Sequence, residues 1–472
     1  MRAAAFGVRL VFRLPMVHLA NNTRLETMTA RRCTLRIALV LCVSGSLVAG
    51  CRRTNSHVDR DSTDRQAHFV RRIEWIDKGQ WMKSDTHIHT QFSDGSHTID
   101  EVVTRAKQFG CDVVAITDHA DKNLSAATPE YQKAIVSVRR SHPNMVIVAG
   151  LEWNVPPYGG DEHATVLVPE GPQEAMTLVG FKSRFDDLGR ETHDPAMADE
   201  ALRWLEKQES PTGTKPLVLL NHPSRKRQQS MDVVSDLRRW KPVSEIVIGL
   251  SGAPGHQEME ANGAYSNRIV TVDRWDPVVS EVGGAWDTLL RQGVDLWAAR
   301  APSDFHSGRP DKRDDFWPGQ FSETWLYVPQ RDADGVFAAL RSGTFFAAHG
   351  HIAREVELLV NAVGLPRAAR SGEVIEVSPD SKFKVSLRLK VPSADWTGEG
   401  NRIDEVELII VNPTKTQLIR RPCPSGDGEV DFGELTAPDA GLILRARGRR
   451  TVKDNPDLMF YTNPVRILVS AS

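Results

Sequence analysis

The stretch Asp85-Thr86-His87-Ile88-His89 puts a carboxylate and two imidazoles on alternate positions, so on an extended strand all three side chains point to one face. Two imidazoles so placed can share a metal ion. A His-x-His alone is common by chance, but four further segments put a ligand-type residue just after a predicted strand. These are Asp118-His119 after Ile116, Glu152 after Val148, His222-Pro223 after Leu220, and Asp304-Phe305-His306 after Ala298. Taken singly, each His reads as a hydrogen-bonded structural residue and each Asp as a helix cap. Together they read as one pocket, because the carboxyl ends of parallel barrel strands converge on one face. Imidazole and carboxylate donors suit zinc, manganese or iron, and a set too large for one tetrahedral ion predicts two or three divalent metals. The matching chemistry is hydrolysis by a metal-activated water, with Glu152, Asp304 and His306 as the candidate catalytic residues. The sequence has no G-x-S-x-G elbow and no P-loop.

Such a pocket needs elements to carry it. Between 69 and 350, short apolar runs at 113–116, 145–148, 165–168, 217–220, 246–248 and 294–298 alternate with helical patterns, which predicts an α/β domain with mainly parallel strands, a barrel in preference to an open sheet. The clearest helix has Ile99, Val102, Val103, Ala106 and Phe109 on one face, a capping box of Thr98 with Glu101 at its start, and Gly110 at its close. Segments 198–208 and 333–342 are also helical in pattern. From 355 to 472 the texture changes to alternating runs at 356–360, 383–391, 406–411 and 442–447, which predicts a small C-terminal antiparallel β-sandwich with nothing catalytic in it.

The N-terminal part is of another kind. Arg31, Arg32 and Arg36 precede an apolar run from 37 to 49, the layout of a secretory signal and too short to span a bilayer. Met28, just before the basic cluster, is the expected true start. The run ends Leu47-Val48-Ala49-Gly50-Cys51, which resembles the lipobox of bacterial lipoproteins. That resemblance implies a signal over 1–50, lipidation of Cys51 and anchoring to a bacterial membrane; an ordinary cleaved signal or a short anchor is the alternative. Arg52 after Cys51 is similar to lipoproteins sent to the outer membrane, on its periplasmic or surface side. Residues 51–68 are polar and read as a tether. Of five cysteines only Cys111 and Cys423 fall in the folded part, so no disulfide framework is expected, and Cys111 reads as core packing. Lys plus Arg number 59 against 61 Asp plus Glu, a formal charge of -2, which argues against nucleic acid as a partner.

The order Asp85-x-His87-x-His89, Ser93-Asp94-Gly95, Thr117-Asp118-His119, Gly150-Leu151-Glu152, Asn221-His222-Pro223 and Ser303-Asp304-Phe305-His306 resembles the PHP (polymerase and histidinol phosphatase) family over about residues 80 to 310. The resemblance implies a distorted seven-stranded (β/α) barrel, TIM-like, with a two- or three-metal centre. It implies His87, His89, Asp94, His119, Glu152, His163, His222, Asp304 and His306 as ligands, with Glu152 bridging two metals. Many members have Ala where this chain has Asn221, a departure that changes the pocket lining and leaves the ligand intact. The exported layout, with the tail sequence Tyr461-Thr462-Asn463-Pro464, is similar to a secreted branch that includes carbaryl hydrolases.

Three functions follow for a small-molecule substrate, in order of preference: a phosphoesterase, a carbamate or carboxylic ester hydrolase, and a non-catalytic metal- or ligand-binding lipoprotein. Arg225 is the candidate phosphate-binding residue, because its guanidinium matches phosphate oxygens bidentately, whereas Lys226 and Arg227 read as a solvated loop. An esterase would want an apolar wall, for which Trp153, Phe305 and Trp317 are candidates. Asp85 is expected to accept a hydrogen bond from a ligating imidazole and fix its tautomer. His193, His256, Arg309, His349 and His351 read as structural or solvent-facing.

Overall fold

The computed structural model describes residues 66–226, 229–255, 269–308, 315–423 and 426–470. The expected signal segment, Cys51 and nearly all of the tether lie outside the described residues, as do Arg227, His256 and Arg309. The chain runs through β1 (His68–Arg71), β2 (Gln80–Asp85), α1 (Ile99–Gln108), β3 (Val113–Ile116), α2 (Pro129–Ser141), β4 (Val146–Asn154), β5 (His163–Val168), α3 (Glu174–Phe185), α4 (Pro195–Glu206), β6 (Leu217–Leu220), α5 (Val233–Val243), β7 (Val247–Leu250), α6 (Pro277–Ser280), α7 (Ala285–Arg291), β8 (Ser322–Val328), α8 (Ala333–Ser342) and β9 (Phe345–His349). Strands follow: β10 (Glu355–Ala362), β11 (Val374–Val377), β12 (Lys382–Lys390), β13 (Glu405–Val411), β14 (Thr416–Pro422), β15 (Gly428–Thr436), β16 (Leu442–Arg450), β17 (Leu458–Thr462) and β18 (Val465–Val469).

Local chemistry accounts for the start of the α/β part. Thr98 and Glu101 form the expected reciprocal cap, and Ile99, Val102, Val103 and Ala106 are buried. Phe109 is the C-cap, and Gly110 turns the chain at φ +81, a left-handed conformation that glycine adopts without strain. The runs of β3, β6 and β7 are buried at every position, as strands covered on both faces must be.

The sheet order β8-β2-β3-β4-β5-β6-β7 differs from the mainly parallel barrel expected. β2–β3, β3–β4 and β6–β7 are parallel; β2–β8, β4–β5 and β5–β6 are antiparallel. The reason for the first reversal is length: residues 155–162 are too few for a crossover and fold back as a hairpin, with Val155 N–H donating to Glu162 O at 2.9 Å. The strand expected at 294–298 is absent. Among the described residues 294–298 keep one parallel bridge, Gly249 to Trp297; farther along, the Gly252 and Ala253 N–H groups donate to the Arg300 carbonyl, and past Pro302, which has no N–H to give, Ile88 bridges to Phe305. Among the described residues the ring of strands therefore does not close by a continuous ladder.

The C-terminal region is β-rich. β17 pairs antiparallel with β9, so β16, β18, β13, β14 and β11 extend the same sheet, and β10, β12 and β15 form a second, three-stranded one. Leu358, Val385, Leu387, Leu408, Leu444 and Phe460 belong to one apolar core drawn from both sheets.

Candidate metal centre

Glu152 lies inside β4, because the strand runs six residues past Val148. The antiparallel hairpin sets His163, the first residue of β5, opposite Asn154. His119 follows β3 and bridges to Glu152, and His222 follows β6. β2 stops at Asp85, so His87 and His89 stand beyond the strand they were expected to share with it. Ile88 between them bridges to Phe305, which brings Asp304 and His306 alongside.

The side chains converge on Glu152. Its Oε1 lies 3.2 Å from His87 Nε2, 3.2 Å from His163 Nδ1 and 3.1 Å from His222 Nε2. Its Oε2 lies 3.2 Å from both His89 Nε2 and His119 Nδ1. Asp304 Oδ1 is 3.2 Å from His87 Nε2 and from His89 Nε2. Asp94 faces His89 Nδ1 at 3.3 Å, His306 Nε2 at 3.4 Å and His119 Nε2 at 3.6 Å. Three overlapping groups have donor atoms close enough to hold an ion: His89, Asp94, His119 and His306; His87, His89, Glu152 and Asp304; and His119, Glu152 and His163.

The donor set fits divalent cations. His87 Nε2 and His89 Nε2 are 3.1 Å apart, and two neutral imidazole nitrogens turned toward one another gain nothing unless a proton or a cation lies between them. The buried Asp304 Oδ1 accepts no hydrogen bond. A cation bound by these atoms satisfies both conditions.

The backbone is strained where ligands are presented: His222 has φ +25 and Asp304 φ +51, a region non-glycine residues seldom occupy. At Gly95 a Cβ would come within 2.5 Å of Thr90 N and 2.6 Å of the His89 carbonyl carbon. Only glycine lets the Asp94 loop fold back on His89.

Electrostatics divides the imidazoles. Burial pushes His222 down to about 3, with the Arg225 charge adding to it, and pushes His119 down to about 4, so both keep neutral rings. Burial also disfavours a charge on His89, but the carboxylates of Asp304, Asp94 and Glu152 that face it outweigh this and raise its pKa well above the usual value. His306 is raised for a similar reason, through Asp94 and Asp304. Against the upward pull of burial, His87, His163 and His119 hold the Glu152 carboxyl well below the usual range.

Several positioning contacts differ from expectation. Asp85 accepts from the backbone N–H of His87 and of Ser303, at 3.2 and 3.1 Å, so it fixes the two ligand-bearing segments to each other and does not orient an imidazole. Burial pushes it up to about 6. The residue set against an imidazole is Ser93, whose Oγ lies 3.3 Å from His89 Nδ1 and donates to Asp118 Oδ1 at 2.7 Å. Asn221 Nδ2 donates to Glu152 Oε1 at 2.9 Å, a role that its place before His222 in the sequence does not reveal. Arg225 reaches the cluster, with Nη2 3.2 Å from His163 Nδ1, while Lys226 pairs with Asp161 at 2.8 Å on the exposed rim. Trp153 is not a pocket wall: it packs on Phe181 and Trp240 in the helical layer. Phe305 and Trp317 stack on each other with ring centres 4.5 Å apart. His351 pairs with Glu323 at 2.9 Å, and His349 stacks on Trp275 at 4.3 Å, both away from the cluster.

Three solved structures are similar to this chain at low identity. A two-domain protein from Bacteroides vulgatus ATCC 8482, described as containing a predicted PHP-like metal-dependent phosphoesterase, is 13% identical with a TM-score of 0.36, over 82% of this chain and 95% of its own. A protein from Bifidobacterium adolescentis ATCC 15703, described as a metal-dependent phosphoesterase, is 15% identical with a TM-score of 0.27, over 49% and 92%. An amidohydrolase from Chromobacterium violaceum, solved with bound sulfate and no metal, is 16% identical with a TM-score of 0.28, over 49% and 90%. No curated protein matches the chain. The stretch from Asp85 to Gln229, which carries the His-x-His, Asp94, His119, Glu152, His163 and His222, matches the PHP domain family.

Proposed function

We propose that this chain is a metal-dependent phosphoesterase acting on a small phosphorylated substrate, with His87, His89, Asp94, His119, Glu152, His163, His222, Asp304 and His306 holding two or three divalent ions. The observation that carries the reading is Glu152, whose two oxygens are both within 3.2 Å of histidine nitrogens and which belongs to two of the three candidate ion groups. When bound, such ions supply a nucleophilic water ionised near neutral pH and neutralise charge on the ester oxygens.

The chain's own residues do the rest. Glu152 spans two groups of imidazoles and fixes their separation. His119 and His222, kept neutral by burial, offer lone pairs. Asp304 closes the cluster from the opposite segment. The Arg225 guanidinium beside His163 suits the phosphate oxygens that do not react, and this favours a phosphoester over a carbamate. For the N-terminal region the proposal is export and lipid anchoring through Cys51, tested by whether radiolabelled palmitate enters the wild type and not Cys51→Ser.

The decisive experiment measures metal content of the purified protein with hydrolysis of p-nitrophenyl phosphate, a phosphodiester analogue and an aryl carbamate, for wild type, His87→Ala and Asp304→Ala. Bound metal with phosphate release that both substitutions abolish is the expected result. Turnover of the carbamate alone overturns the substrate, and no bound metal after reconstitution overturns the site.

A further inference from the structure

Arg300 is fully buried at the place where the ring of strands has no ladder. All five of its N–H groups have acceptors. Nε donates to Thr86 Oγ1 at 2.7 Å; Nη1 donates to Ser251 Oγ at 2.6 Å and Asn221 Oδ1 at 3.3 Å; Nη2 donates to the Thr86 carbonyl at 2.8 Å and Thr165 Oγ1 at 3.2 Å. None of these partners is a carboxylate. A buried guanidinium bonded only to neutral groups is costly, so its placement calls for an explanation. Burial pulls it down to about 10, and the charges that oppose this are Asp85, Glu152 and Asp304.

Of the four residues that accept, all but Ser251, which follows β7, adjoin a metal-ligand candidate. Thr86 precedes His87, Asn221 precedes His222, Thr165 lies two residues after His163 and opposite Glu152 in the β4–β5 register, and Arg300 itself lies four residues before Asp304. Asn221 is the link to the carboxylate. Its Oδ1 accepts from Arg300 and, at 2.8 Å, from Thr165 Oγ1, which fixes the amide with its Nδ2 toward Glu152 Oε1 at 2.9 Å. Direct contact would let the guanidinium fork occupy both carboxylate oxygens. The relay spends one N–H on Oε1 and leaves Oε2 to His89 and His119.

We propose that Arg300, acting through Asn221, is a positioning residue that aims the Glu152 carboxylate for metal binding, taking the place of the missing strand ladder. The inference rests on the metal-centre reading above. The test is manganese titration of the metal-free full-length chain by calorimetry, for wild type, Asn221→Ala, Arg300→Lys and the double variant, with the unfolding midpoint of each metal-free protein measured alongside. Arg300→Lys keeps the charge and loses the fork; Asn221→Ala leaves the guanidinium in place. Each single substitution is expected to raise the manganese dissociation constant about tenfold or more, with the unfolding midpoint of Asn221→Ala close to wild type. The double variant is expected to lose about as much as the weaker-binding single, because both interrupt one path. If Arg300→Lys does not fold, Asn221→Ala against Thr165→Val decides, since both cut the same relay. Wild-type manganese affinity in folded Asn221→Ala, or losses that simply add in the double variant, overturns the relay. Failure of the wild type to bind manganese overturns the metal centre as well, so the two failures are distinguishable.

Discussion

His306 Nδ1 lies 2.8 Å from the carbonyl oxygen of Asp304, two residues earlier, so Nδ1 donates there and Nε2, 3.4 Å from Asp94, is the nitrogen that a proton or a cation can occupy. That arrangement depends on the left-handed turn at Asp304, which Gly255 permits. Gly255 has φ +92, and a Cβ there would come 2.2 Å from Asp304 Cβ. Gly255→Ala is therefore expected to displace Asp304 and His306 together. A shift of about 1 Å at a reacting centre costs on the order of a hundredfold in rate, so kcat for phosphoester hydrolysis should fall by about that factor. Metal analysis and steady-state kinetics check this; a variant with wild-type kcat would show that the turn is not needed.

Metal binding should depend on pH with a definite sign. His89 and His306 have raised pKa values because carboxylates face them, so each holds its proton to higher pH than an ordinary imidazole and a cation must displace it. The metal-free protein thus holds more protons than the loaded one. Affinity is expected to rise with pH through neutrality, with proton release on binding. Calorimetric titration in buffers of differing ionisation enthalpy measures that release. Both groups are raised, so the rise in affinity extends above the ordinary histidine value of about 6.5; binding that takes up protons, or affinity that stops rising below that value, contradicts the assignment.

The ligand types were legible in the sequence because strand ends converge, and a motif such as Asp304-Phe305-His306 keeps its meaning wherever its strand sits. Asp94 and His163 were legible only through family resemblance. Asp94 sits in a loop, and the link between His163 and Glu152 depends on the β4–β5 register, which the spacing of two residues does not reveal. The expected strand at 294–298 failed because apolar content does not guarantee a partner for the backbone, and Pro302 lies close by. Arg300 went unnoticed for a related reason. A lone arginine in an apolar run reads as exposed, and only the folded chain surrounds it with Thr86, Thr165, Asn221 and Ser251.

Substitution of Arg225 tests the proposed phosphoester against the carbamate. Its Nη2 is 3.2 Å from His163 Nδ1, whereas the neighbouring Lys226 is tied to Asp161 at the rim. Hydrogen bonds to charged groups contribute about 1.5–3 kcal/mol, so Arg225→Ala should lower kcat/KM for a phosphate monoester about tenfold or more. Lys226→Ala should leave it nearly unchanged, and an uncharged aryl carbamate should be indifferent to both. Equal losses for the ester and the carbamate would mean that Arg225 serves the metal centre and not the phosphate.

Stability offers a test independent of the reaction. Asp287 in α7 and Arg445 in β16 form an ion pair with both side chains fully buried, Nε to Oδ1 at 2.7 Å, and the guanidinium stacks over Trp286 at 4.7 Å. Asp287 Oδ2 also accepts from Gly283 N–H at 2.6 Å, which ties the start of α7 to the same charge. Because β16 lies in the C-terminal sheet and α7 in the α/β part, this pair joins the two regions. Removing one charge strands the other, which costs about 3–5 kcal/mol, while replacing both with apolar side chains of similar volume is often neutral. Asp287→Leu is therefore expected to lose about that much in denaturant unfolding, and the Asp287→Leu, Arg445→Met double variant should recover most of it. Neither side chain is among the metal-ligand candidates, so metal content should stay at the wild-type level in both. A single variant as stable as wild type would show that Arg445 finds compensation elsewhere. A double variant no better than the single would show that the pair stabilises the junction by itself, beyond satisfying each other's buried charge.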